Sequence, residues 1–187
     1  MTFVRVLVGL TLAAAIPGVP AAYASHRLTA WRHFRVVEEG RLYRSGQLAP
    51  AVLDRVIHDQ GIKTVICLRS LAREGDLTPE NAEELWCAGR GVRYVRLNPA
   101  AWDSPAGRGN LDAFLRAVDG PADGPVLVHC FAGLHRTGVY CAVYRMERQG
   151  WTNAEAIAEM YAVGYFQEDP SALEFLRAYV PRAAGQP

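Results

Sequence analysis

Short apolar segments alternate with segments of helical periodicity from residue 34 to residue 180, and this alternation constrains the fold more than any other feature. The segments 64–68 and 125–129 are mainly apolar without a polar face, which is typical of strands buried on both faces of a parallel sheet. Segments whose apolar residues recur at helical spacing lie between these predicted strands. We therefore predict an α/β domain whose central, mainly parallel sheet of four to five strands is flanked by helices on both faces.

Turn residues and apolar spacing set the expected bounds of each element. The predicted strands are 34–37, 41–44, 63–68, 92–97 and 125–129, of which the first two form a hairpin. The predicted helices are 50–60, 79–89, 110–118, 137–149, 153–163 and 171–179.

The net charge excludes a binding surface based on bulk electrostatics. Among the 187 residues, 20 Lys plus Arg stand against 19 Asp plus Glu, which gives a formal charge of +1. Such a chain has no basic field to hold nucleic acid or an anionic membrane. We expect no nucleic-acid partner and a monomer, with any anion bound locally.

The first 24 residues resemble a targeting segment rather than part of the domain. One basic residue, Arg5, precedes the uncharged apolar run 6–16, and small residues follow up to Ala24. This pattern predicts a secretory signal peptide over 1–24 and a single domain over 25–187. The alternatives are a membrane anchor formed by residues 6–24 and a buried cytosolic helix. We expect an exported, periplasmic or cell-envelope protein, or one anchored in the membrane.

Four cysteines are spread through the chain without any C-x-x-C pair, so neither a zinc ribbon nor a disulfide scaffold is indicated. Cys67, Cys87 and Cys141 lie in apolar surroundings, where cysteine packs as a small hydrophobe. Cys130 differs, because it follows the strand 125–129 directly and precedes a helix.

The segment after Cys130 predicts an anion-binding loop. Six positions separate Cys130 from Arg136, and Gly133 between them allows the backbone to curl so that its N–H groups point inward. The helix dipole and the Arg136 guanidinium add positive charge at the same place. Such surroundings stabilise a thiolate over a thiol, so the loop supplies an activated nucleophile. We expect the Thr137 hydroxyl to hydrogen-bond the sulfur and His129 to order the loop.

At these residues the sequence resembles the cysteine-dependent protein-tyrosine and dual-specificity phosphatases, whose signature H-C-x-x-G-x-x-R-[S/T]-G is matched in full from His129 to Gly138. The segments 40–47 and 64–69 resemble the small bacterial and fungal or plant members, and the resemblance covers residues 34 to about 180.

The resemblance implies a phosphomonoester hydrolase. Cys130 attacks phosphorus, Arg136 holds the phosphoryl group, and a phosphocysteine intermediate is hydrolysed without a metal or other cofactor. The substrate is a phosphorylated protein or a small phosphomonoester. The loop residues implied to contact it are Phe131, Ala132, Gly133, Leu134, His135 and Arg136.

Members of this superfamily use an aspartate on a loop before the nucleophile as general acid. Asp103, in a loop that contains proline and glycine, is the predicted acid, although a solvated or turn-forming aspartate would have the same sequence signature. Asp112 is the alternative, and it resembles a first-turn helix charge.

The variable loop positions bear on the substrate. Phe131, Ala132 and Leu134 are apolar, which disfavours a polyanionic substrate, whereas the segment 43–47 resembles the branch that cleaves inositol pyrophosphates. Positive charge at the rim is available from three arginines that would otherwise form surface ion pairs, namely Arg44, Arg69 and Arg108. The open alternatives are an inositol (pyro)phosphate phosphatase, a sulfur-transferring protein of rhodanese type and a non-catalytic phosphoryl-binding protein.

Overall fold

A computed structural model describes residues 31–70, 79–97, 106–120, 122, 124–166 and 170–182. The strands are β1 Arg35–Glu38, β2 Leu42–Ser45, β3 Thr64–Cys67, β4 Arg93–Arg96 and β5 Val126–His129. The helices are α1 Pro50–Gln60, α2 Pro79–Ala88, α3 Arg108–Asp119, α4 His135–Gln149, α5 Asn153–Val163 and α6 Ser171–Ala178. The predicted leader 1–24 and Asp103 lie outside these residues and stay predictions.

The five strands form one sheet in the order β1-β2-β5-β3-β4. β1 runs antiparallel to β2, as the predicted hairpin requires, and the other neighbours pair in parallel. β5 is the middle strand and is buried along its whole length, because both of its edges and both of its faces are covered. The predicted mainly parallel α/β sheet is confirmed.

Helices cover both faces of the sheet, and each face has its own apolar core. Helices α3 to α6 form the larger core against Val126 and Val128 of β5. Helices α1 and α2 form the smaller core against Leu127. Successive side chains of a strand point to opposite faces, so β5 contributes to both cores, and His129 continues the alternation toward the α2 side.

Two helices begin earlier than the sequence predicts. The α4 helix begins at His135 rather than at residue 137, because Leu134 already has right-handed helical backbone angles (φ −105°, ψ −59°). The α3 helix begins at Arg108 rather than at residue 110, and its first turn holds no acidic residue. Asp112 is therefore in the second turn, and its interpretation as a first-turn charge is wrong.

None of the helices among the described residues has the length and apolar character needed to span a bilayer.

Candidate active site

Three parallel strands end side by side at the edge of the sheet where the loop begins. Ser45 of β2 and Cys67 of β3 are both level with His129 of β5. The residues that follow these strands therefore meet at one place, which is where ligands bind in open α/β sheets. Cys130 is the first residue beyond the middle strand, and its side chain is buried.

The loop from Cys130 to Leu134 curls tightly around the Cys130 sulfur. The backbone N–H of Gly133 donates to Sγ at 3.2 Å. Gly133 has a φ of +80°, and a Cβ there would stand 2.4 Å from the backbone nitrogen of Gly46. Only glycine fits this close approach, so the predicted role of Gly133 in the curl is confirmed.

Neighbouring segments hold the outer side of the loop. The carbonyl of Phe131 accepts from the backbone N–H of Gln47 at 2.9 Å. The carbonyl of Ala132 lies 2.9 Å from His33 Nδ1. Because these carbonyls are engaged on the outside, the peptide N–H groups of the loop face inward, as in the backbone nests that bind anions.

Arg44 is a buried support of this loop, not a charge at its rim. Its side chain is only 2% exposed, and Nη2 donates to the Gly133 carbonyl at 2.8 Å. Both alternatives from the sequence, rim charge and surface ion pair, are wrong for Arg44, because the parallel pairing of β2 with β5 carries it beneath the loop.

Arg136 lies in the first turn of α4 and is tied to the same edge of the sheet. Its Nη1 donates to the Leu68 carbonyl at 2.6 Å, and the Leu68 N–H in turn donates to the His129 carbonyl at 2.8 Å. Burial, followed by the nearby Arg136 charge, lowers the pKa of Arg69. Two guanidinium groups thus concentrate positive charge beside the loop, where an anion would bind.

The side chains of Thr137 and Leu134 are both buried. The Thr137 hydroxyl is buried and has no hydrogen-bond partner within the described ranges, so the expected bond to Cys130 Sγ is not formed. The Leu134 side chain is buried and packs close to Gly164 at the end of α5. The early start of α4 turns both side chains into the protein.

The remaining variable positions form the exposed rim of the loop. Phe131 is 52% exposed, and the guanidinium carbons of Arg32 and Arg69 lie 4.6 and 5.0 Å from its ring centroid. His135 Nε2 lies 2.9 Å from the Phe166 carbonyl, and the two rings meet edge to face at 4.5 Å. The rim is therefore aromatic, and the guanidinium groups of Arg32 and Arg69 lie against the Phe131 ring.

His129 takes part in a buried charge network, which we define as His129, Glu83, Cys67, Gln47 and Tyr94. His129 Nε2 lies 3.0 Å from Glu83 Oε2 in an ion pair, and both side chains are almost fully buried. Burial opposes the charged form of His129, but the Glu83 carboxylate outweighs it and raises the pKa of the imidazole well above its usual value. The reciprocal attraction lowers the pKa of Glu83 against the same penalty.

Glu83 was not among the residues predicted from the sequence, and Cys67 was expected to be a plain packing residue. The thiol is fully buried, as expected, but burial is outweighed by the His129 charge, which lowers the pKa of Cys67. One signal for Glu83 was present: it stands four residues before Cys87, hence one turn away on the same buried helix face.

The donor atoms of Cys67, Glu83 and His129 lie within 4.8 Å of one another, and these donor types suit zinc. However, His129 and Glu83 already neutralise each other, and Arg96 Nη1 lies 3.9 Å from the Cys67 sulfur. A further cation would be repelled by Arg96 and would have to displace His129 from its carboxylate. The group therefore fits a charge network rather than a metal centre.

Of the two candidate general acids, only Asp112 lies among the described residues. It forms an ion pair with Arg182, beyond the end of α6.

The buried thiol of the loop lies between the middle strand of a mainly parallel sheet and a helix that carries an arginine. This is the arrangement of a cysteine-dependent phosphatase. Residues 17–173 match the family described as DSP-PTPase phosphatase fused to NAD+ kinase. The chain belongs to this family, within the protein-tyrosine and dual-specificity phosphatase superfamily, and is a protein-tyrosine-phosphatase-type phosphoric monoester hydrolase. The family decides against the sulfur-transfer alternative.

Two curated relatives agree with this class. The dual specificity protein phosphatase TpbA of Pseudomonas aeruginosa (strain UCBPP-PA14) is 29% identical over 180 residues, which cover 90% of this chain and 76% of TpbA. The tyrosine-protein phosphatase-like protein OCA2 of Saccharomyces cerevisiae is 25% identical over 138 residues, covering 74% of this chain and 68% of OCA2.

Solved structures share the fold. The crystal structure of P. aeruginosa TpbA superposes with a TM-score of 0.57 at 26% identity, covering 82% of this chain and 93% of that one. The core catalytic domain of the PP-IP phosphatase SIW14 from S. cerevisiae superposes with a TM-score of 0.64 at 21% identity, covering 79% and 85%. The latter likeness concerns the fold alone.

We expect Gly133→Ala to destabilise the protein far more than Gly40→Ala. Both glycines have positive φ, which costs an alanine about 1–2 kcal/mol, but a Cβ at Gly40 meets nothing within 4 Å. At Gly133 the added carbon meets backbone atoms of Ser45 and Gly46, which no rotamer change can relieve. Urea unfolding of both variants checks this, and equal losses of unfolding free energy would contradict the close packing of the loop.

Proposed function

We propose that this chain is a phosphotyrosine-directed phosphatase in which Cys130 is the nucleophile. The observation that carries the proposal is the hydrogen bond from the Gly133 N–H to Cys130 Sγ. It lies inside a loop whose carbonyl groups are bound by neighbouring segments on the outer side. A backbone donor on the sulfur favours the thiolate, and inward N–H groups favour the charged oxygens of a phosphoryl group.

In the proposed reaction the Cys130 sulfur attacks phosphorus while the loop N–H groups and Arg136 hold the non-bridging oxygens. The sulfur–phosphorus bond forms as the bond from phosphorus to the leaving oxygen breaks, and Asp103 gives its proton to that oxygen. A water molecule then attacks phosphorus, the sulfur–phosphorus bond breaks, and the Asp103 carboxylate takes the proton from the water. Phosphate leaves, and both residues return to their starting states.

The aromatic rim supports an aryl phosphate as substrate. Phe131 offers an exposed ring at the loop, and aromatic pairs contribute about 0.5–1.5 kcal/mol beyond their buried area. A crystal structure of a cysteine-to-serine variant of P. aeruginosa TpbA in complex with pTyr is 25% identical to this chain with a TM-score of 0.57. Arg32 and Arg69 beside Phe131 favour a second candidate, an inositol (pyro)phosphate, because they could bind additional phosphate groups.

Cys130→Ser is expected to abolish turnover of p-nitrophenyl phosphate, because a serine hydroxyl is not ionised at neutral pH. The matched control is Cys87→Ser, which removes a buried thiol on the other face of the sheet and is expected to keep turnover. Steady-state rates under reducing conditions, with circular dichroism to verify folding, provide the measurement. Retained turnover in a folded Cys130→Ser protein would refute the nucleophile.

Asp103→Asn is expected to remove the basic limb of the pH profile of kcat/KM, because that limb reports the protonated general acid. The rate loss should be larger for phenyl phosphate than for p-nitrophenyl phosphate, whose leaving group needs less protonation. Asp112→Asn is the control, since Asp112 is paired with Arg182. Loss of the basic limb in Asp112→Asn instead would transfer the role to Asp112.

Phe131→Ala is expected to lower kcat/KM for a phosphotyrosine peptide by roughly tenfold and to leave that for an inositol pyrophosphate unchanged. Tyr161→Ala, which removes an exposed ring of α5, is the control. Two results together would favour the second candidate. The wild type would have a higher kcat/KM for the inositol pyrophosphate than for the peptide, and Phe131→Ala would change neither value.

A further inference from the structure

Glu83 is a carboxylate that the catalytic scheme does not use, although it is buried next to the loop. It projects from α2 and is only 5% exposed. Burying a carboxylate is costly unless donors or an opposite charge surround it, and Glu83 has two hydrogen-bond donors and one ion-pair partner. Gln47 Nε2 donates to Oε1 at 3.0 Å, the Tyr94 hydroxyl donates to Oε2 at 3.3 Å, and His129 Nε2 lies 3.0 Å from Oε2.

Each nitrogen of His129 lies within 3.3 Å of an oxygen that can only accept a proton, and the Cys67 sulfur lies within 4.8 Å of one ring nitrogen. Nε2 faces the Glu83 carboxylate, and Nδ1 lies 3.3 Å from the carbonyl oxygen of Cys130. A ring that meets an acceptor at each nitrogen is satisfied only when both nitrogens carry a proton. The Glu83 carboxylate beside Nε2 and the carbonyl oxygen beside Nδ1 therefore favour the imidazolium form, in agreement with the raised pKa of His129.

The other polar groups around this pair come from three more elements. Cys67 ends β3, Tyr94 and Arg96 belong to β4, and Gln47 follows β2. Gln47 also reaches the loop, because its backbone N–H donates to the Phe131 carbonyl and its side chain accepts from Arg69. Arg96 also lies near Cys67, with Nη1 3.9 Å from the sulfur, and it is paired with Glu84 at 3.5 Å.

We propose that Glu83 is a positioning residue of the phosphatase reaction, which acts through His129 by keeping both ring nitrogens protonated. The Nδ1–H then holds the Cys130 carbonyl in place, and the positive charge of the ring favours the Cys130 thiolate. This role rests on the proposed function of Cys130 as nucleophile. Glu83 itself touches neither substrate nor the reacting atoms.

The test compares Glu83→Gln with Glu84→Gln, which removes the neighbouring and more exposed carboxylate of the same helix. In Glu83→Gln, the buried ring of His129 loses its counter-charge and becomes neutral, so the Cys130 thiolate should form at higher pH. We expect the midpoint of pH-dependent iodoacetamide alkylation of Cys130 to rise by about one pH unit. Below that midpoint, alkylation and kcat/KM should both fall roughly tenfold, and the two proteins should converge at high pH.

A purely structural role of Glu83 would lower the rates equally at every pH, and that result would overturn the proposal. A double-mutant cycle provides a second test. Once His129→Asn is present, Glu83→Gln should cause no further shift of the alkylation midpoint. An equal shift in both backgrounds would likewise overturn it.

The wild-type protein provides a measurement that does not depend on the folding of any variant. Nitrogen-15 NMR of the His129 side chain between pH 6 and 8 should show both ring nitrogens protonated, and a neutral ring would overturn the proposal. Alkylation and NMR require no turnover. Absence of phosphatase activity in the reduced wild type would therefore refute the proposed function, while these two measurements would still report on the coupling of Glu83 to His129.

Discussion

The close contact between Gly133 and Gly46 is the constraint on which the active site depends. A Cβ at Gly133 would lie 2.4 Å from the Gly46 nitrogen, and a Cβ at Gly46 would lie 2.6 Å from the Phe131 carbonyl oxygen. The two glycines let the loop after β5 pack directly on the chain after β2. Backbone-to-backbone packing at this distance leaves little freedom, so the loop is shaped before any anion binds.

Charge around the loop is organised in two layers. Arg136 and Arg69 lie at the side where an anion would bind, and Arg44 supports the Gly133 carbonyl from beneath. Glu83 and His129 form the other layer as a buried ion pair behind the end of β5. Positive charge is thus concentrated locally in a chain whose formal net charge is only +1, which agrees with the expectation that any anion is bound by specific contacts.

Most of the fold was predictable because its signals are local. The bounds of α1 and α5 agree with the predicted 50–60 and 153–163, since glycines stop both helices in left-handed conformations. The start of α4 was not predictable, because Leu134 directly follows Gly133, whose left-handed conformation is tied to a long-range contact with Gly46. The Thr137 side chain was misplaced for the same reason.

The sequence by itself determined the parallel sheet, the loop after its middle strand and the positions of Cys130, Gly133 and Arg136, because periodicity and a contiguous motif record these features within short stretches of chain. Tertiary structure alone decided that Arg44 lies beneath the loop and that Glu83 faces His129, 46 residues further along. A charged side chain on a strand or helix is ordinarily solvated. Only the pairing of distant elements, which brings β2, β5 and α2 together, can turn such a side chain into a buried partner.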